Sequence, residues 1–185
     1  QFTLRGLWKL RQSYCGVTEA LKERDKKRKW LDMPELVLDD DLKLALAQAM
    51  PGTVSGLDRH EWIKHGTCSG EVAAGYYTRA LKLLAAVNES EVQALFVAHR
   101  GKSLAQDDIQ QAFDTAFGPG AGERVKMRCA KDGNRQVITG LTIGLGAVDD
   151  AGQDAAGPDL ATLIAAAGKT SFGCAAGIVD EPGLQ

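Results

Sequence analysis

From Asp39 to Phe117 the chain reads as one helix after another, and only after Val125 does its apolar pattern switch to alternation. Asp39 to Asp41 suit a helix start, Leu42, Ala45, Leu46 and Ala49 form its stripe, and Pro51-Gly52 ends it. Ser55 or Asp58 is the candidate cap of the helix that follows. Ala73 to Val87 carries Tyr76, Tyr77, Ala80, Leu81 and Leu84 at helical spacing, and Glu89 to His99 turns Val92, Leu95 and Phe96 inward. Ser103 is the expected cap of a third helix, striped by Ile109, Ala112, Phe113, Ala116 and Phe117 and broken by Gly118-Pro119-Gly120. Val125 to Cys129 alternates, Asp132-Gly133-Asn134 signals a hairpin, and Arg135 to Leu145 reads as the returning strand. Ala147 to Pro158 reads as a mobile loop, Leu160 to Ala167 as a short helix, and Gly177 to Asp180 as a final edge strand. Gln1 to Leu4 reads as a short strand, and Gly6 lets the backbone turn after Arg5. Helices in the middle with antiparallel strands toward the ends predict an α+β domain. With no internal repeat and no linker, residues 1–185 are read as one domain.

The chemistry concentrates in His60-Glu61-Trp62-Ile63-Lys64-His65-Gly66-Thr67-Cys68, which holds two of the three histidines. On a helix at roughly 100° per residue, His60 and Lys64 share one side, Glu61 and His65 lie beside them, and Trp62 and Ile63 turn toward a core. Gly66 can end this helix. An imidazole exchanges protons near neutral pH, and an ammonium beside it can offset charge growing on a phosphate. A zinc site is disfavoured: the metalloprotease helix places its histidines four apart, whereas these are five apart with Lys64 at the ligand position. No metal and no cofactor are expected.

H-E-W-I-K-H-G-T-C resembles the second active-site segment of the T2 ribonucleases, which are secreted or periplasmic acid endoribonucleases that need no metal. That family's first segment reads hydrophobic-H-G-L-W-P, and Phe2-Thr3-Leu4-Arg5-Gly6-Leu7-Trp8-Lys9 is similar to it in spacing and flanks. Arg5 stands where the family has its first catalytic histidine, and Lys9 replaces the proline. The likeness covers nearly all of the chain and is closest to bacterial periplasmic members. It implies a ribonuclease T2-like α+β fold with a central antiparallel sheet packed against several helices. Family members carry a further strand and loop before the first segment, so an N-terminal piece is expected to be missing here.

The resemblance also assigns roles. His65 takes the proton of the ribose 2′-hydroxyl, which attacks phosphorus to form a 2′,3′-cyclic phosphate. Glu61 and Lys64 stabilise the phosphorane, and His60 contacts the phosphate. The proton for the departing 5′-oxygen comes from the first-segment histidine, and Arg5 cannot supply it, because a guanidinium holds its proton at neutral and acid pH. Losing one acid–base partner costs roughly 10²–10⁴ in rate. Arginine is a good phosphate ligand, so a catalytically inactive relative that holds RNA or a protein partner in the same cleft is the alternative reading. A third, a scaffold that kept only the fold, has no use for two imidazoles on one helix edge.

RNA is the expected partner, and a monomer meets every requirement. A protein inhibitor is left open. A net charge of −2 argues against binding nucleic acid by bulk charge alone, so RNA contact falls to a local pocket. Lys22 to Lys29 is a charge run, read first as a solvated face and secondly as a strip steering RNA. Trp8, Trp30 and Tyr76 are the candidates for base contact, with packing the competing role for each. His99 reads as a surface or capping residue. No apolar run approaches membrane-spanning length.

Cys15, Cys68, Cys129 and Cys174 are even in number and widely spaced, which suits two disulfides and an oxidising compartment. Three pairings are open on spacing, against four free thiols in a cytosolic protein. The resemblance implies Cys15 with Cys68 and Cys129 with Cys174, and a periplasmic or secreted location.

Overall fold

A computed structural model describes residues 1–147 and 157–180. Its contacts gather into two compact units, Phe2–Ala85 and Ala86–Gln185.

The first unit is helical. α1 spans Glu19–Lys26 and starts where the Thr18 hydroxyl accepts from the Leu21 N–H, with Glu19 in its first turn and Arg24 and Lys26 in its last. These charges oppose the helix dipole at each end. α2 spans Asp40–Ala49, and Asp39 caps it by accepting from Leu42 N–H at 2.7 Å. A 3-10 turn, Pro51–Ser55, leads into α3, Leu57–Lys64. The cap of α3 is neither Ser55 nor Asp58 but Gly56, at φ +78° and with no side-chain cap. A β-carbon there would stand 2.9 Å from the Trp30 carbonyl carbon, so the position asks for glycine on two grounds. A second 3-10 turn, Gly66–Cys68, follows α3, and α4 spans Ala73–Asn88.

Leu38, Leu46, Met50, Leu57, Tyr76 and Tyr77 form the buried cluster of this unit, with Leu4, Leu7 and Trp62 packed against it. The Tyr76 and Tyr77 rings meet edge to face at 4.9 Å. Gln1 to Leu4 is not a strand: Leu4 N–H donates to Ala49 O at 2.7 Å, at the end of α2 rather than along a sheet. The Cys15–Cys68 disulfide ties the loop before α1 to the turn after α3, with Cα atoms 5.0 Å apart.

The second unit holds the sheet. α5 spans Glu91–Ala98, capped by Ser90, and His99 closes it with Nδ1 2.8 Å from Leu95 O. β1 is Ser103–Ala105 and α6 is Gln106–Phe117. Ser103 therefore opens a strand instead of capping α6. Leu104 inserts at 1% exposure, and the flanking residues pair with Ile178 and Ala176. β2 (Val125–Asp132) and β3 (Arg135–Ile143) form the expected hairpin, with a bulge between Arg128 and Cys129. α7 is Leu160–Ala165 and β4 is Ala176–Ile178.

The strand order is β1-β4-β3-β2. β4 is thus internal rather than an edge, and it runs parallel to β3 through Val137 and Ile178. The sheet is mixed, not wholly antiparallel. The Cys129–Cys174 disulfide and the Met127 N–H to Phe172 O bond at 2.6 Å draw the tail onto β2 just before β4 begins. The loop expected from Ala147 to Pro158 falls largely on residues 148–156, outside the described residues. Among the described residues no helix is long and apolar enough to cross a membrane. Among the described residues, seven helices and a four-stranded mixed sheet make an α+β fold.

Gly56→Ala adds both a left-handed backbone penalty and a steric clash under Trp30. It should lower the unfolding free energy by at least about 1–2 kcal/mol, read as a fall in the urea midpoint. An unchanged midpoint would show that α3 can begin without the left-handed residue.

Candidate active site

α3 delivers His60, Glu61 and Lys64, and His65 follows as its C-cap. The sequence places these groups along one helix edge, but the structure aims them two ways. His60 faces α1, while Glu61 faces the first segment. His60 is 8% exposed and Glu61 only 1%.

Buried polar groups must find partners, because desolvation without one costs several kcal/mol at the upper end. His60 finds Asp25. Its Nδ1 lies 2.6 Å from Asp25 Oδ1, and the Tyr14 hydroxyl donates to Asp25 Oδ2 at 2.6 Å. With the carboxylate accepting on both oxygens, Nδ1 carries a hydrogen and Nε2 is directed toward Glu61, 3.9 Å from its Oε1. Trp30 covers the imidazole face, its ring stacked at 4.6 Å and 24°, and its indole N–H donates to Asp25 O at 3.2 Å. Trp30 thus packs on the histidine. Tyr14 holds its place at a cost, since its φ of 57° lies in the left-handed region. Its N–H donates to Lys64 O at 2.8 Å, and it adjoins the bridged Cys15. Burial, then the Asp25 carboxylate, pushes the Tyr14 hydroxyl above its usual range.

Neither Asp25 nor Tyr14 stands out in the sequence. Asp25 is hidden within the cationic run Lys22 to Lys29, where a carboxylate reads as surface neutralisation. The available signal is its spacing: Asp25 lies one turn after Leu21, on the face of α1 that turns inward.

Glu61 finds the first segment. Trp8 Nε1 donates to its Oε2 at 2.7 Å, and Arg5 Nη1 lies 3.6 Å from its Oε1. Gly6 is what allows this approach, because a β-carbon there would collide with the Glu61 carboxylate and sit 2.6 Å from Trp8 Nε1. Burial raises the Glu61 carboxyl above its usual range, opposed by the Trp8 hydrogen bond and then by Arg5, His60 and Lys64. Trp8 is 36% exposed and stands over the site rather than in the core, its ring 5.9 Å from that of His65. The Arg5 side chain is 58% exposed.

Tyr76 sits differently from a base-contacting residue. It is 1% exposed, and its hydroxyl donates to Leu7 O at 2.7 Å while accepting from Leu7 N–H at 3.1 Å. It offers no ring face to solvent and instead pins the first segment to α4.

His65 is half-buried, and its Nδ1 makes no hydrogen bond among the described residues. Burial, then the positive charge of Lys64, lowers it to about 4. Such an imidazole stays unprotonated through mildly acid solution and is free to accept a proton. The same shift affects stability. A histidine lowered from 6.5 to about 4 on folding contributes stability that is present above 6.5 and lost as pH falls through about 4. A His65→Gln variant should therefore lose less stability than the parent over that interval, measured by urea unfolding at successive pH values. Trp8→Phe removes a donor that holds Glu61 ionised. The Glu61 carboxyl should titrate still higher, as read by carbon NMR, and an unmoved midpoint would remove Trp8 from its electrostatics.

Ribonuclease I of Escherichia coli (strain K12) is 30% identical over 114 residues, which cover 60% of this chain and 42% of that protein. The match thus spans less than half of the relative's length. The model of the ribonuclease T2 family matches residues 1–155, a span that includes both the Arg5–Trp8 segment and the whole of α3. With that much of its length accounted for, the chain belongs to the ribonuclease T2 family.

Proposed function

We propose that this chain is an endoribonuclease that cleaves single-stranded RNA by metal-independent transesterification through a 2′,3′-cyclic phosphate. The observation that carries the reading is His65, an imidazole lowered to about 4 within one helical turn of a buried carboxylate and an ammonium. His65 removes the 2′-hydroxyl proton. The oxygen attacks the neighbouring phosphorus, and charge grows on the non-bridging oxygens. Lys64 offsets that charge. Glu61, raised by its burial, lies beside His60 and helps to stabilise the phosphorane as it forms. His60 meets the phosphate through Nε2, since Nδ1 is held by Asp25. Trp8, half over the site, is the group available to stack a base. Two disulfides support an oxidising compartment, periplasmic or extracellular. A monomer suffices, as every group named lies in Phe2–Ala85.

A second reading draws on Arg5. Its guanidinium stands beside Glu61, exposed and able to grip a phosphate. A protein that binds RNA in this cleft without turnover is the outcome if no product forms.

The test is incubation of a short single-stranded RNA with the protein in EDTA at pH 5 to 7, followed by end-group analysis. Cleavage with 2′,3′-cyclic ends is expected, and His65→Ala should reduce it by about 10²–10⁴. Binding of RNA with no cyclic ends would overturn the enzymatic reading in favour of the second. With His65 lowered to about 4, the activity should hold down to about that pH and fall below it as the base is protonated.

A further inference from the structure

Transesterification needs two proton transfers, and the residues so far named supply one. The 5′-oxygen leaves as an alkoxide unless something protonates it. Arg5, at the position of the family's first histidine, cannot do so. The other polar groups can be taken in turn. Lys64 carries protons, but an ammonium is a weaker acid than an imidazolium. Glu61 is raised by burial, yet donors approach both of its oxygens: Trp8 at Oε2, and Arg5 and His60 at Oε1. Its surroundings are built for an acceptor.

His60 remains. Its Nε2 and Arg5 Nη1 lie 3.9 Å and 3.6 Å from the same oxygen, Glu61 Oε1. The imidazole therefore points at the place that residue 5 also reaches. Behind it stands a buried carboxylate, Asp25, 3% exposed, held by the Tyr14 hydroxyl. A carboxylate at Nδ1 fixes the tautomer and the orientation of the ring, which is the arrangement that lets a histidine exchange a proton at its other nitrogen. Trp30 stacked on the ring keeps it from rotating away, and 11% of the side chain remains exposed.

We propose that His60, backed by Asp25, protonates the departing 5′-oxygen in this chain, and so performs the step that Arg5 cannot. The inference rests on the ribonuclease reading above. The 2′-oxygen gives its proton to His65 and forms a bond to phosphorus. The bond from phosphorus to the 5′-oxygen breaks, and that oxygen takes the Nε2 proton of His60. The products are a 2′,3′-cyclic phosphate and a 5′-hydroxyl, with His65 protonated and His60 neutral. Exchange with water restores both. Asp25 touches no reacting atom and acts as a positioning residue.

A leaving group that needs no proton separates this from other roles. Two dinucleotides would be compared, one natural and one with sulfur in place of the bridging 5′-oxygen, since a thiolate departs readily without an acid. The parent protein, His60→Gln, Asp25→Asn and His65→Ala would each be assayed on both. His60→Gln is expected to lose about 10²–10⁴ more on the oxygen substrate than on the sulfur substrate, where only its phosphate contact is missed. Asp25→Asn should show the same pattern, more weakly. Retained cleavage of the sulfur substrate shows that His60→Gln and Asp25→Asn are folded, whereas His65→Ala, lacking the base, should lose both substrates. Adding Arg5→His to His60→Gln should restore oxygen-substrate cleavage, because an imidazole returns to the competing position. If His60→Gln loses both substrates equally, His60 binds phosphate only and the proposal fails. The proposal also fails if the parent cuts the sulfur substrate alone, for then no acid operates. If the parent cuts neither substrate, the ribonuclease reading itself falls.

Discussion

The hydrogen bond between Asp25 and His60 is the contact on which the site depends. Two charged or polar groups have left water, and each offsets part of the other's cost of burial. Removing either leaves an unpartnered polar atom in the interior, so the pair holds α1 and α3 in one arrangement. Three further contacts converge on the same bond: the Tyr14 hydroxyl on the carboxylate, the Trp30 ring on the imidazole, and the Trp30 N–H on the Asp25 carbonyl. The outcome is an imidazole with a fixed tautomer and little freedom of rotation. Precision of this kind is expected where a proton must travel in a set direction.

Glu61 organises the other half. Its burial is balanced by donors from the N-terminal segment, so the segment is attached to α3 by polar contacts as well as by the packing of Leu4 and Leu7. Tyr76 completes the attachment from α4 by using its hydroxyl as both donor and acceptor at Leu7. The irregular path of residues 1–9 follows from this. Their backbone is fixed by side chains and by a helix end, without a neighbouring strand.

Much of the helical organisation was legible because it depends on local rules. Asp39 capped α2 as its side chain suggested, and the hairpin at Asp132-Gly133-Asn134 closed as the turn chemistry required. The chemical residues of α3 could be picked out because their types are rare together. What was not legible came from long-range pairing. β1 is three residues, too short for periodicity, and exists because it meets β4; β4 itself was expected as a strand, but not its internal place between β1 and β3. Ser103 has the composition of a cap, yet the burial of Leu104 decides its place. Asp25 has the composition of a surface residue, and its partners arrive from elsewhere in the chain, Tyr14 before α1 and His60 thirty-five positions on. Tyr76 was a candidate for base contact with packing the favoured reading, and at 1% exposure it packs.

The Cys15–Cys68 bridge has a reach that its position does not advertise. Cys15 follows Tyr14, whose left-handed backbone is among the least comfortable in the chain, and Cys68 closes the turn after His65. The covalent tie therefore sits one residue from the hydroxyl that steadies Asp25, and through Asp25 it bears on His60. A reducing agent acting at the bridge would bear on the His60 imidazole through this sequence of contacts. The thiol chemistry of the surroundings and the proton chemistry of the cleft are, in this chain, parts of one mechanical linkage.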